Sequence, residues 1–335
     1  MKLYTYRTTE TNPHRNLALE EYLLCHHIEQ ECCIFYLWQN RHTVVIGKNQ
    51  HCQNECNTSL LYSDGGTVAR RSSGGGAVYH DLGNLNFTFL AGKGSYDLEK
   101  QLCVITTALS RLGIPAVAEG RNDICIEGKK ISGNAFFSSK AGKLHHGTLM
   151  LAVDKDKLSK YLNVSQEKLR AKGVQSVRAR VANLVDYRPD LTVEMLCAAL
   201  LSAFEDVYGA KATALNESVF DQAELEKLYE KYASDDFIFG AGPAETHAFQ
   251  KRFDWGNVDL RLLVENGWIK AAALYSDAMD SEYIAAFATA LKGRPYTPAA
   301  FLAAAQACAQ EDLYTTQMPR ELLNFLLKEV EDENL

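Results

Sequence analysis

No stretch of this 335-residue chain is both long and apolar enough to cross a bilayer, and its opening, MKLYTYRTTETNPHRNL, lacks the apolar run of a secretory signal. Both absences point to a cytoplasmic protein. A basic excess is missing too: 35 Lys and Arg stand against 42 Asp and Glu, a formal net charge of -7. That balance argues against nucleic acid and against an anionic membrane as partners, because both need a strongly basic face. The nine cysteines are odd in number and scattered, which suits free thiols in a reducing compartment better than a disulfide framework. Cys52 and Cys56 have C-x-x-x-C spacing, yet no second close Cys/His pair completes a zinc site. Internal repeats and low-complexity tracts are also absent.

What remains is an ordinary globular composition, 47% hydrophobic and 23% charged, in a chain longer than the ~250 to 300 residues at which single cores stop growing. Two domains are therefore expected. Strands mixed with helices, without a regular βαβ alternation, indicate an α+β mixed sheet. Asn16 is placed to cap a helix over NLALEEYLL, with Glu20 and Glu21 near its positive end. Cys33 to Trp38 and Thr43 to Ile46, separated by the turn-forming Gln39 to His42, read as neighbouring strands. Leu85, Phe87 and Phe89 alternate with Asn86 and Thr88 as in a half-buried strand. Leu98, Leu102, Ile105, Leu109 and Leu112 predict a core-packing helix capped by Asp97 and ended by Gly113 and Pro115. Asp123 to Ile126 and Lys129 to Ser132 predict two short strands joined through Glu127 and Gly128.

The glycines and proline of FIFGAGPAETHAF, with Gly240, Gly242 and Pro243, mark a linker, and the chain beyond it reads as a small domain of its own. Ile284, Phe287 and Leu291 form one helical stripe closed by Gly293. Thr297 and Pro298 open a second helix with Phe301, Leu302 and Ala305 inward, and Pro319 opens a third with Leu322, Phe325 and Leu326 on one face.

Chemistry concentrates in two segments. In Arg70-Arg71-Ser72-Ser73-Gly74-Gly75-Gly76-Ala77-Val78-Tyr79-His80, three glycines remove the Cβ atoms that keep a ligand from the backbone, so their N–H groups can converge on an anion beside two fixed positive charges. A flexible loop with a solvated arginine pair is the alternative. Neither G-K-[ST] nor a complete G-x-G-x-x-G is present, and Ala77 to His80 reads as a strand where both motifs open a helix. The second segment joins Gly120-Arg121-Asn122-Asp123 to Lys129-Lys130-Ile131-Ser132-Gly133-Asn134-Ala135 and His145-His146-Gly147-Thr148-Leu149. A lysine on a short strand among small residues can aim a compact charge at a phosphate or carboxylate, with an aspartate to orient it. His145 and His146, as strand neighbours, face opposite sides and do not readily share one metal ion. Trp38, Val44 and Ile46 are candidates for an apolar substrate slot, or for plain core packing.

Taken in order, ARRSSGGGAVYHDLGN, GRNDICI, KKISGNA, HHGTLML and KGVQSVRARVANL resemble the signature blocks of the lipoate-protein ligase A family. NLALEEYLL, TVVIGKNQ, ECN and the tail segment FDWGNVDLRLLVENG extend the similarity over nearly the whole chain. The resemblance implies a catalytic domain of the biotin/lipoate ligase type over 1–246 and a small α+β accessory domain over 250–335. It implies ATP as substrate with Mg²⁺, lipoic acid as the activated acid, and as partners the lipoyl domains of 2-oxoacid dehydrogenase acyltransferases and the glycine cleavage carrier protein. It maps the catalytic role to Lys130, ATP binding to Arg71, Gly76, Ala77, Val78, Tyr79 and Lys130, and lipoate binding to Lys130, Arg70, Gly75 and His80. Asn122, Asp123 and His146 are supporting candidates, and no metal ligand is assigned. An octanoyltransferase of the same fold, working through a thioester at Cys125, is the nearest rival. A non-catalytic binding protein is another, and a biotin ligase is disfavoured because its G-R-G-R-x-G-R loop is missing.

Overall fold

A computed structural model describes residues 1–120, 122–163, 180–240, 245–308 and 316–333. From the N-terminus the strands are β1 (Lys2–Arg7), β2 (Cys32–Trp38), β3 (Thr43–Ile46), β4 (Thr67–Arg70), β5 (Val78–His80), β6 (Asn84–Ala91), β7 (Val117–Glu119), β8 (Asp123–Ile126), β9 (Lys129–Ser138), β10 (Lys143–Met150) and β11 (Thr213–Ala214). The C-terminal region adds β12 (His247–Phe253), β13 (Gly256–Glu265) and β14 (Trp268–Ser276). The larger helices are α1 (Pro13–His26), α2 (Leu98–Arg111), α3 (Val193–Tyr208), α4 (Gln222–Ala233), α5 (Asp235–Phe239), α6 (Ser281–Leu291), α7 (Pro298–Cys308) and α8 (Gln317–Glu333).

Eight strands form the main sheet, in the order β11-β1-β2-β6-β10-β9-β8-β7. The β11-β1-β2 edge is parallel and the remaining pairs are antiparallel, the mixed sheet expected of an α+β domain. One face packs Phe35, Phe87 and Phe89 on α2 and α3, and the other packs Ile34, Tyr36 and Trp38 on α1 and Tyr232 of α4. Strand β6 is therefore buried at all eight positions rather than half-buried. Its alternation assigns residues to two covered faces: the apolar set meets α2 and α3, while Thr88 turns to α1 and is satisfied there by Glu20 and Trp38.

Strands β2 and β3 do not pair with each other. β2 lies between β1 and β6, whereas β3 lies between β4 and β5 in a separate three-stranded sheet. Between them, Asn40 is fully buried and His42 takes a positive φ of 37°, so the connection redirects the chain instead of closing a hairpin. The cap of α1 is Asn12, not Asn16: its side chain accepts from the His14 and Arg15 amides, and Pro13 opens the helix. Glu20 and Glu21 consequently sit well inside the helix. Asp97 does cap α2, accepting from the Lys100 amide. The buried face of α2 is centred on Gln101, Val104, Ile105, Ala108 and Leu109, with Leu98, Leu102 and Leu112 at its margins. The β8–β9 hairpin turns at Glu127 and Gly128, both at positive φ, and β9 runs on to Ser138, well past Ser132.

Contacts group the chain into two units. The second comprises Phe239–Leu335 together with two short segments from the N-terminal half, Gly47–His51 and Ser72–Gly76. In it the antiparallel sheet β12-β13-β14 packs Val258, Leu260 and Leu262 against Ile284, Phe287 and Leu291 of α6, Phe301 and Ala305 of α7, and Leu322, Phe325 and Leu326 of α8. Leu302 is only partly buried, and Ala304 takes the inward position. α7 begins at Pro298 and Pro319 lies in the first turn of α8. Arg121, most of the KGVQSVRARVANL block, and Gly242 with Pro243 of the linker lie outside the described residues.

Candidate active site

Lys130 begins where the hairpin delivers it. A register irregularity between Ile124 and Cys125 sets Asp123 opposite Gly133 and Cys125 opposite Lys130. The Lys130 side chain runs along its strand to Gly133, where a Cβ would lie 2.6 Å from Nζ. Only glycine leaves that path open. There Nζ meets Asp123 Oδ1 at 2.7 Å, while Asp123 Oδ2 accepts from Arg180 at 2.6 Å. Burial pulls the Lys130 ammonium below the usual lysine value, and Asp123 works against that pull. Lys129, its neighbour, is exposed. Asn122 and Asn134 exchange side-chain-to-backbone hydrogen bonds at 2.9 and 3.0 Å, which fixes the strand end that carries Asp123.

The arginine pair divides its work. Arg71 is buried and donates to the Val45 carbonyl at 3.2 Å. Burial lowers its pKa to about 10 and nearby Glu20 opposes the shift, so the guanidinium stays charged at neutral pH while largely stripped of water. A desolvated arginine is a strong phosphate ligand. Arg70 instead donates to the carbonyls of Phe237 and Ile238, at 2.9 Å each, and so holds α5. Ala77 and Val78 are half-buried, and Tyr79 is buried with its ring against His42 and Tyr161.

On the α1 face of the main sheet a set of buried polar groups converges. Glu20 Oε1 accepts from Thr88 Oγ1 at 2.6 Å and pairs with His146 Nδ1 at 2.9 Å, and Thr88 in turn accepts from Trp38 Nε1 at 3.0 Å. His80 packs edge-on to Trp38. His145 points the other way, between Gln101 and Asn134, so the two histidines do serve opposite faces. Trp38, Val44 and Ile46 are all buried; Trp38 alone of the three is tied to this polar set.

Gly75 and Gly76 fall in the second unit. There Gly75, at φ 89°, donates its N–H to the Ala278 carbonyl at 3.2 Å, and a Cβ on Gly74 would sit 2.4 Å from that same oxygen. The loop is thus ordered against backbone. In the same unit Lys48 pairs with Glu282 at 2.6 Å, and the Asn49 side chain donates to the Ser281 carbonyl at 2.8 Å.

With this geometry in view, comparison with known proteins is decisive. The sequence matches the Lipoyl protein ligase A/B catalytic domain over residues 12–205 and the Bacterial lipoate protein ligase C-terminus over 242–326. It is 42% identical to a protein of Psychrobacter cryohalolentis named lipoate-protein ligase A, over 85% of this chain and 86% of that one. A Blochmanniella pennsylvanica protein of the same name is 39% identical over 95% and 96%. The chain belongs to the lipoate-protein ligase A family. Among solved structures it is similar to P. falciparum LipL1 in complex with lipoate (TM-score 0.85, 29% identity, 97% of this chain and 99% of that one). It is also similar to a lipoate-protein ligase A bound with ATP (TM-score 0.61, 26% identity, 71% and 98%).

Family membership makes the chain an enzyme, a ligase with the fold expected of that class, and directs attention to Cys125. Its thiol is buried and pushed up to about 11, first by burial and then by its hydrogen bond to Glu119, which leaves almost no thiolate at neutral pH. That is poor chemistry for a thioester. Several residues now near Lys130, Arg71 and His80 carried no assignment from sequence: Arg180, Glu20, Thr88, Asn134 and Asn40. Arg180 and Asn134 lay within recognised blocks. Glu20 stands beside Glu21 in a helical run, Thr88 in an apolar strand and Asn40 in a turn-forming segment, and their burial was the missing signal.

Proposed function

We propose that the chain activates lipoate with ATP and then acylates a lysine of a lipoyl domain. One carboxylate oxygen of lipoate attacks the α-phosphorus, the bond to pyrophosphate breaks, and a mixed anhydride with AMP remains. The amine of the acceptor lysine, having lost its proton, attacks the anhydride carbonyl; the amide C–N bond forms and AMP leaves. Lys130 is the catalytic residue in this reading, its ammonium stabilising charge on the phosphate and carbonyl oxygens in both steps. Arg71, with Gly76, Ala77, Val78 and Tyr79, receives the nucleotide, and Lys130, Gly75 and His80 receive the acid. Arg70 shapes the edge of the site through α5.

The single observation that carries the reading is the Lys130–Asp123–Arg180 cluster: one carboxylate pairs with two cations and so holds the partly exposed Lys130 ammonium at a fixed position. The ATP-bound and lipoate-bound relatives support the choice of substrates. Among the described residues no group of three or more His, Cys, Asp or Glu could hold a metal, so Mg²⁺ would accompany the nucleotide phosphates, and no step is assigned to it. Acceptors of the proposed kind are the lipoyl domains of 2-oxoacid dehydrogenase acyltransferases and the glycine cleavage carrier protein. Nine free thiols and no described helix able to cross a membrane are consistent with a cytoplasmic setting. We divide the chain into a catalytic domain, 1–246, and an accessory domain, 250–335. The test is mass spectrometry of an apo lipoyl domain incubated with enzyme, lipoate and ATP: a lipoyl mass increment that requires both small molecules is expected, and an increment that forms without ATP rejects the scheme.

A further inference from the structure

One member of the buried polar set has a proton whose position is fixed from a distance. The Asn16 side-chain nitrogen faces the backbone carbonyls of Glu10 and Gln39, at 3.1 and 2.9 Å, and its oxygen accepts from the Tyr36 hydroxyl at 3.1 Å. Carbonyls can only accept, so this end of Asn16 must be its NH₂ group. That same nitrogen, its two protons shared among three oxygens, lies 3.0 Å from Asn40 Oδ1; a flipped Asn40 would set one NH₂ donor against another, so Asn40 must present Nδ2 on its other side. Facing Nδ2 at 3.2 Å is His80 Nδ1. A donor there leaves Nδ1 only the acceptor role, and the ring proton goes to Nε2. His80 is 4% exposed, and its Nε2 finds no partner among the described residues. Burial, with Arg71 and His146 as the charged or ionisable neighbours that act on it, lowers its pKa to about 3 and keeps the ring neutral.

We infer that Asn16 and Asn40 form an amide relay that holds His80 as its Nε2–H tautomer, presenting a neutral N–H donor to an oxygen of the bound acid; Asn40 is a positioning residue acting through His80. This rests on the functional reading above for the identity of the ligand, but not for the tautomer. A neutral donor suits this position because Arg71 already supplies positive charge, and a second buried cation beside it would be costly.

The relay is tested first by ¹⁵N NMR of the imidazoles in the full-length enzyme without ligand. His80 is expected as a single Nε2–H tautomer, and a proton on Nδ1 overturns the inference whatever the enzyme binds. In Asn40→Leu, Asn16 keeps its two carbonyl acceptors while His80 loses its fixed partner, and a mixture of tautomers is expected. The KM for lipoate in lipoate-dependent ATP/pyrophosphate exchange should rise about ten-fold or more in Asn40→Leu and in His80→Phe, with kcat changing much less. The double variant should match His80→Phe alone, because Asn40 acts through the ring. Effects that multiply contradict the relay. If the variants fail to fold, the wild-type spectrum still decides, and failure of the wild type to exchange rejects the functional reading while the tautomer result stands.

Discussion

Lys130 and Lys129 are neighbours of the same type with different surroundings, and the difference is the strongest residue-scale test of the site. Lys130 is steered by Asp123, and Lys129 is exposed. Lys130→Ala should lower single-turnover adenylation by roughly 100 to 1000-fold, as expected for loss of one preorganised charge, with the thermal midpoint little changed. Lys129→Ala should be mild; the reverse order would mean that the wrong lysine has been assigned. His145 allows a test of stability. Burial between Gln101 and Asn134 lowers its pKa to about 3 from the usual 6.5. Between those values the unfolded chain binds a proton that the folded chain does not, so stability is full above pH 6.5 and falls as the pH drops toward 3. The urea midpoint should decrease from neutral pH to about pH 5, and His145→Gln should make that dependence shallower. An unchanged slope would show that His145 does not carry it.

At the scale of elements, the strand that bears Lys130 depends on Gly133. In Gly133→Ala the new methyl meets the mobile end of Lys130 rather than backbone, so the protein should fold with near-normal stability while Nζ is displaced from Asp123. Adenylation should fall at least ten-fold with a melting temperature close to wild type, roughly the effect of a misplaced catalytic group. Activity at the wild-type level would contradict the path drawn for the side chain. The same scale shows what the sequence made legible. Runs with local signatures were readable: Asp97 before an apolar stripe, Glu127-Gly128 between two strands, Pro298 at a helix start. Pairing between distant strands was not, since β2 and β3 look like a hairpin until buried Asn40 and the positive φ of His42 separate them. Asn16 read as a cap because Asn is a good one; tertiary hydrogen bonds to Glu10, Gln39, Asn40 and Tyr36 claim it instead. Of the residues proposed for the site, Arg71 and Lys130 were singled out from their blocks. Glu20, Thr88 and Asn40 were not, because a glutamate in a helix, a threonine in a strand and an asparagine in a turn acquire meaning only once their burial is known.

At the scale of the whole molecule, each unit has its own core, and the glycine loop shares contacts with the C-terminal one. A chain ending at residue 244 should therefore fold, as judged by circular dichroism, yet lose the partners of Gly75, Lys48 and Asn49 at Ala278, Glu282 and Ser281. It should fail to adenylate lipoate and still transfer lipoate from supplied lipoyl adenylate, because the residues around Lys130 remain. Full adenylation by the folded truncation would limit the C-terminal unit to stability or docking. The central claim, that this enzyme makes an acyl adenylate and not a thioester, is tested most directly by ATP/pyrophosphate exchange in wild type, Lys130→Ala and Cys125→Ala. The account predicts exchange that requires lipoate, nearly disappears in Lys130→Ala and persists in Cys125→Ala. No exchange in the wild type, with an acyl group trapped on Cys125 by mass spectrometry, would contradict it.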